Sequence, residues 1–432
     1  MNTLKFDLSK EGKSFKILNA TNGGPWHKRH VVDQVRSNFE DYKAARFRYT
    51  RNHDSAYGAR FAHDINYIFP NFDADPYDPD SYDFDCTDEQ IGVALDADTK
   101  TFFRLGQTIE HEVRKHFTIP PRDFKKWAVI CEHIIRHYTE GWANGFQYDM
   151  PYWEIWNEPD LDADDSPNKR TWGGTMAQFF DLFEITAKHL KTCFPHLKIG
   201  GPALAWNEQW AEEFFKEMQK REVPMDFFSW HIYCTEPVWM VEKAERMKAL
   251  TEKYGYGHVE CHLNEWNYVK GWTDEFQYTI NAIHGIKGAM FTLACICEAQ
   301  QAPIDMLMYY DTRASGFNGC FDYYSYEKLK GYYPMYWYGR FYDYEKEIPV
   351  ESKPDGIYTL CGVDKEGKAT AIVCHYSDND EAESKSVCVD FGRPGKYEIY
   401  LLDKDHDAEL VATTQELTFE LQVQSAILIK EI

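Results

Sequence analysis

Tyr152-Trp-Glu-Ile-Trp-Asn-Glu-Pro159 is the stretch from which the fold can be worked out. Trp153, Ile155 and Asn157 alternate with Glu154 and Trp156, the period of two of a β-strand. Pro159 ends the run, because a proline pushes the residue before it away from helix and offers no N–H to a ladder. A strand is expected over 152–156, stopping at Asn157-Glu158-Pro159. A second run of the same texture, Val259-Glu-Cys-His-Leu-Asn-Glu265-Trp266-Asn267, also finishes on a glutamate.

Outward from these two, residues 16–20, 45–50, 101–106, 197–200, 226–232 and 304–309 also read as strands. Helix-length patterns lie between them at 31–43, 88–96, 123–138, 175–193, 207–221, 238–253 and 275–297, with Asp123 and Asn207 placed to cap two of them. Eight strands alternating with helices over roughly 330 residues predict a parallel (β/α)8 barrel. A doubly wound sheet is the rival, but neither GxGxxG nor GxxxxGK[ST] occurs. From about residue 350 the texture changes to short alternating strands at 356–360, 369–375, 386–391, 396–402 and 417–421, divided by turn residues. That is the pattern of a small β-sandwich. The expected fold is therefore α/β: a TIM barrel over 19–345 with a C-terminal β-sandwich over 346–432. Residues 1–18 read as N-terminal strand(s) that could join the sandwich.

The 47 basic and 70 acidic residues give a net charge of −23, which argues against nucleic acid, since that partner needs a basic footprint. No stretch reaches the roughly 18 apolar residues of a membrane span, and the first residues carry no apolar signal core. Eleven cysteines without repeated spacing suit reduced thiols, so a cytoplasmic location and no membrane partner are expected. Six aspartates crowd residues 73–85, yet the spacing of a calcium loop is missing. A solvated loop is the expectation there, with no metal and no cofactor. Nothing specifies an interface, and a homo-oligomer stays open.

Glu158 and Glu265 stand 107 positions apart, which assigns them to the fourth and seventh strands. Residues at the C-terminal ends of barrel strands lie on the catalytic face. Two carboxylates across one cavity are what glycoside hydrolysis needs: one protonated, to release the leaving oxygen, and one ionised, to attack the anomeric carbon. Asn157 beside the acid is placed to hydrogen-bond a sugar hydroxyl. Glu154 and Glu260, inside strands, and Glu298, after an apolar helical run, are set aside.

The WNEP segment, with a Glu-Trp-Asn run about a hundred residues on, resembles the retaining glycosidases of clan A. Within the clan it is most similar to glycoside hydrolase family 39, which holds β-xylosidases and α-L-iduronidases. Arg51-Asn-His53-Asp54, the 68–76 loop with Tyr82-Asp-Phe84, and Asp226-Phe-Phe-Ser-Trp-His231-Ile-Tyr233 add to the likeness. The resemblance implies Glu158 as general acid/base, Glu265 as nucleophile, and a pocket lined by Asn157, His53, His231 and Tyr233. His231 and Tyr233 share a strand face, from which Tyr233 could donate to Glu265. Trp266, directly after the nucleophile, is expected to stack on sugar; Trp26, Trp206, Trp239, Trp272 and Phe317 are weaker candidates.

The eighth-strand region Met308-Tyr-Tyr-Asp311-Thr-Arg313 departs from the Trp-to-Glu run of the family, and Asp311 or Arg313 is expected to take that part. Arg313 also raises the question of an anionic sugar. The expected activity is a retaining exo-glycosidase on neutral pentose-containing glycosides, most simply β-xylosides, with a glycoside or oligosaccharide as substrate. Another clan A specificity (arabinosidase, galactosidase or endo-acting) and a non-catalytic carbohydrate-binding protein are the alternatives.

Overall fold

The computed structural model describes residues 2–10, 12–25, 37–54, 61–313 and 315–432. After β1 (Asn2–Lys5), eight strands close into a barrel in chain order. They are β2 (Ile17–Asn22), β3 (Tyr49–Arg51), β4 (Lys100–Leu105), β5 (Tyr152–Ile155), β6 (Lys198–Leu204), β7 (Phe227–Cys234), β8 (Glu260–Tyr268) and β9 (Met306–Tyr309). Every pair is parallel. Glu158 follows the fourth barrel strand and Glu265 lies in the seventh.

Asp123 caps the helix Phe124–Thr139 by accepting from the amides of Lys125 and Lys126, and Asn207 caps Glu208–Lys220 through Trp210. The long helix expected over 275–297 is two helices, Phe276–His284 and Ile286–Ala299, bent by 75° at Gly285. The second starts hard against the first: a Cβ on Gly288 would come within 2.6 Å of the Ala282 carbonyl. Of the helix expected at 31–43, Phe39–Ala44 is seen; residues 31–36, and Trp26, lie outside the described residues. Among the described residues no single helix is long and apolar enough to cross a membrane.

The remaining strands are β10 (Lys346–Glu347), β11 (Ile357–Val363), β12 (Ala369–His375), β13 (Lys385–Asp390), β14 (Tyr397–Leu402), β15 (Asp407–Thr414), β16 (Thr418–Leu421) and β17 (Ser425–Glu431). They make a six-stranded sheet, β10-β11-β12-β17-β14-β15, and a three-stranded one, β1-β13-β16. The N-terminal β1 runs parallel to β13, with Leu4 opposite Val389. Strand alternation gives the six-stranded sheet two buried faces. Val373, Cys361 and Ile429 meet Leu4 and Val387 of the small sheet. Leu360, Ile372, Cys374 and Leu428 belong to the barrel's core, against the largely apolar Ile286–Ala299 helix.

The barrel interior is filled at one end by Tyr49, Phe102, Tyr152, Phe227, Met306 and Met308. Tyr49, Tyr152, Phe227 and Met306 are at the starts of their strands, and the polar side chains collect at the C-terminal ends.

Candidate active site

The chain leaves β5 through a strained turn. Trp156 and Glu158 both hold φ in the left-handed region, at 72° and 48°, which side chains with a Cβ seldom adopt. Four hydrogen bonds hold the turn. Trp156 donates its amide to Leu105 O at 2.7 Å and its indole N–H to Thr171 O at 3.0 Å. Thr171 donates its hydroxyl to Glu158 O at 2.5 Å, and the Glu158 amide donates to Ala203 O at 2.9 Å. The last contact exists because the β6–β7 register shifts between Gly201 and Leu204, which turns the Ala203 carbonyl out of the ladder.

Glu265 owes its orientation to a second irregularity. The β7–β8 register shifts between Trp230 and His231, pairing Leu263 with Trp230 but Glu265 with His231. Asn264 and Glu265 therefore both reach polar partners inside the barrel, whereas strict alternation would turn Glu265 outward with Leu263. The same shift corrects the reading of Trp266. Its ring is buried (1% exposed) in the outer core against Tyr309 and Phe291, so it offers no platform to a sugar.

A buried arginine ties the two turns together. Arg51, at the end of β3, donates from Nη1 to Glu265 Oε1 at 2.7 Å and from Nη2 to Asn157 Oδ1 at 2.6 Å. Its Nε donates to Glu154 Oε2 at 2.7 Å, and Nη1 also reaches Asn22 Oδ1 at 3.2 Å. Glu154 Oε1 accepts in turn from Ser229 Oγ at 2.6 Å and Asn264 Nδ2 at 2.5 Å. Buried charges persist only when paired and fully hydrogen-bonded, and this set meets the condition. Since Asn157 spends its oxygen on Arg51, its amide nitrogen is the group left to donate.

Across this frame the two carboxylates face each other over His231. Its Nδ1 lies 2.8 Å from Glu158 Oε1 and 3.6 Å from Glu265 Oε2. One ligand-type atom of each of the three lies within 4.8 Å of the others. Tyr233, two residues along the same face, donates to Glu265 Oε2 at 2.8 Å. His53 Nε2 stands 4.0 Å from Glu265 Oε1.

Burial, reinforced by the Asp160 carboxylate, lifts Glu158 to about 8. Burial raises Glu265 as well, but the Arg51 guanidinium opposes the shift and the Tyr233 hydroxyl hydrogen-bonds its charged form. His231 is pushed down to about 4 by burial, and His53 well below its usual range, so both are neutral at pH 7. The two carboxyls are thus distinguished by what touches them.

Asp311 and Arg313 lie beside this group and do not touch either glutamate. Arg313 pairs through Nε with Asp311 and through Nη2 with Tyr310 OH at 2.8 Å and Asp54 Oδ2 at 3.1 Å. Asp311 also accepts from Ser315 Oγ at 2.9 Å. Arg313 is flanked by two carboxylates, and its charge is spent within the protein.

Trp206, Trp239 and Trp272 are 62%, 49% and 57% exposed. Among the described residues, sets of three potential metal ligands are Glu158-His231-Glu265 and, between two outer helices, Glu132-His189-Cys193. In the first set Glu265 Oε1 already accepts from Arg51 and Oε2 from Tyr233. In the second, His189 and Glu132 bond each other at 2.7 Å. The aspartates of 73–85 instead pin their own backbone, as Asp75 with Tyr77 N and Asp78 with Asp80 N.

Sequence reasoning passed over Arg51, Glu154, Asn264 and Asp160 as site residues. Glu154 sits inside a strand, and a charge between Trp153 and Ile155 demands a buried partner. That demand was the signal to look for one.

A closed parallel barrel with facing glutamates at its fourth and seventh strands defines the clan A class of glycoside hydrolases. The profile of Glycosyl hydrolases family 39 matches residues 25–276, and the chain belongs to that family. A β-xylosidase of Geobacillus stearothermophilus is 29% identical over 170 residues, which is 34% of this chain and 32% of the relative. One from Caldicellulosiruptor saccharolyticus is 30% identical over 189 residues, 40% of this chain and 35% of the relative. The matched segments thus span about a third of each curated relative. Among solved structures, a glucosidase from Croceicoccus marinus superposes with a TM-score of 0.82 at 21% identity, covering 100% of this chain and 98% of the other. A family 39 β-xylosidase from Caulobacter crescentus gives 0.69 at 15% identity, covering all of both chains. These two establish likeness of fold.

Proposed function

We propose that this protein is a retaining exo-glycosidase that hydrolyses neutral pentose glycosides, most simply β-xylosides, without a cofactor. The observation that carries the reading is the placement of one carboxyl oxygen of Glu158 within 4.8 Å of one of Glu265, with His231 between them. Retention goes with a separation of about 5–5.5 Å, whereas inversion needs roughly 6.5–9.5 Å to seat a water between the groups.

In this mechanism Glu265 attacks the anomeric carbon while Glu158 gives its proton to the leaving oxygen. A glycosyl-enzyme ester forms on Glu265, and Glu158, now ionised, takes a proton from water, which cleaves the ester. Arg51 and Tyr233 hold Glu265 ionised and aimed. Asn157 Nδ2 is free to bind the sugar 2-hydroxyl.

The β-xylosidases among the relatives support the pentose assignment. The pairing of Arg313 with Asp311 and Asp54 speaks for a neutral sugar over a uronate. The test is nitrophenol release from β-xyloside, α-arabinofuranoside, α-arabinopyranoside, β-galactoside and β-glucoside, with the anomer of the first-formed sugar read by proton NMR. A dominant β-xyloside rate with β-xylose formed first is expected. Dominant turnover of another sugar would overturn the specificity, and α-xylose as first product the retaining mechanism.

A further inference from the structure

Resting on that reading, we propose that Trp272 and Phe317 form a subsite for a ring-shaped leaving group, the apolar face of a second sugar or an aromatic aglycone. The two side chains belong to a continuous aromatic wall that begins at the reacting centre. Tyr233, whose hydroxyl bonds Glu265, meets Trp272 edge-on with ring centroids 5.1 Å apart and Phe317 at 6.4 Å. Phe317 also packs on Tyr310 at 5.9 Å, on Trp272 at 5.8 Å and on Phe276 at 5.9 Å. Tyr310 in turn bonds Asp54 at 2.9 Å. The wall therefore runs from the nucleophile's own hydrogen-bond donor out to solvent.

Its outer end stays open within the described chain. Trp272 is 57% exposed and Phe276 37%, although both touch the half-buried Phe317. A large indole held in water by its neighbours loses apolar hydration when a flat partner covers it. Sugar rings and aryl groups share that chemistry. The indole is one ring contact and one hydrogen bond from Glu265, a separation that leaves the reacting sugar against Tyr233 and the next ring against Trp272. Exo action assigns that next ring to the leaving side of the scissile bond.

The experiment compares kcat/KM for one glycone carrying methyl, phenyl and glycosyl leaving groups, in the wild type and in Trp272→Ala and Phe317→Leu. Wild-type turnover of any of the three establishes the glycosidase independently of the subsite. Loss of one well-fitted apolar contact is worth roughly ten-fold or more. The expected result is a fall of that size, in Trp272→Ala, in the ratio of ring-bearing to methyl substrates. A fall for glycosyl alone identifies a sugar as the natural partner, and a fall for phenyl alone an aromatic aglycone. Equal losses for all three leaving groups, or a ratio unchanged in both variants, would overturn the subsite.

Discussion

Arg51 places its Nη1 2.7 Å from Glu265 Oε1 with both side chains buried, so the Glu265 carboxyl is paired with an arginine on a different strand. The same guanidinium reaches Glu154, Asn157 and Asn22, four acceptors in all around a fixed planar fork that an ammonium group cannot reproduce. Arg51→Lys is therefore expected to lose at least about 100-fold in kcat/KM, comparable to removing a transition-state donor. The sign of the pH effect follows from the charge. A guanidinium favours the ionised carboxyl, and weakening the contact raises the Glu265 pKa. The proposed mechanism needs Glu265 ionised, so the acid limb of kcat/KM is expected to move to higher pH. A pH profile of the variant checks this, and an unmoved acid limb would remove Arg51 from the account of Glu265.

Asp160 tunes the other carboxyl from behind. Its side chain is buried and accepts from the amides of Ala205, Trp206 and Asn207 at 2.8, 3.0 and 2.8 Å, two residues beyond Glu158. Burial first, and the Asp160 charge second, carry Glu158 to about 8. In Asp160→Asn the like charge disappears, the proton on Glu158 is held less tightly, and its pKa falls. Activity that needs protonated Glu158 should then fail at lower pH than in the wild type, moving the alkaline limb downward with the acid limb little changed. A parallel loss at every pH would mean that Asp160 only anchors the turn.

Much of this site could be read in the sequence because period-two alternation survives in β5 and β7. Ser229, His231 and Tyr233 all turn to polar partners inside the barrel, and the two glutamates fall at strands four and seven. Where alternation breaks, the reading broke with it. The register shift at Asn264 is invisible in the letters, yet it turns Glu265 inward and Trp266 outward. The helix Tyr332–Phe341 escaped notice because aromatics and Pro334 mask its period, although proline is tolerated in a first turn. The strand Asp407–Thr414 escaped because it is exposed along most of its length and has no buried face to set a pattern. The Arg51–Glu154 pair joins strands a hundred residues apart, and only closure of the barrel brings it together.

Removing the two glutamates separates their roles. Glu265→Ala should abolish turnover of every glycoside, and azide or formate should restore it from the vacated side, giving a product of inverted configuration. Glu158→Ala should keep its first step on nitrophenyl substrates, whose leaving group needs no proton, and lose it on alkyl glycosides. More than a few per cent of activity in Glu265→Ala without added nucleophile would transfer the role of nucleophile elsewhere.

The raised pKa of Glu158 also makes a statement about stability. The folded protein holds a proton at Glu158 up to about pH 8, whereas the unfolded chain releases it near pH 4.3. Between those values the native state binds one more proton, so stability falls as pH rises, by up to about 1.4 kcal/mol per unit, and levels off above pH 8. Glu158→Gln removes that titration and keeps the shape of the protonated acid. The variant's advantage in melting temperature should be smallest near pH 4, grow steadily to pH 8 and then stay constant. Scanning calorimetry at pH 4, 6, 8 and 9 measures it. A difference independent of pH across this range would show that Glu158 is ionised in the folded enzyme and leave it without the proton that a general acid must carry.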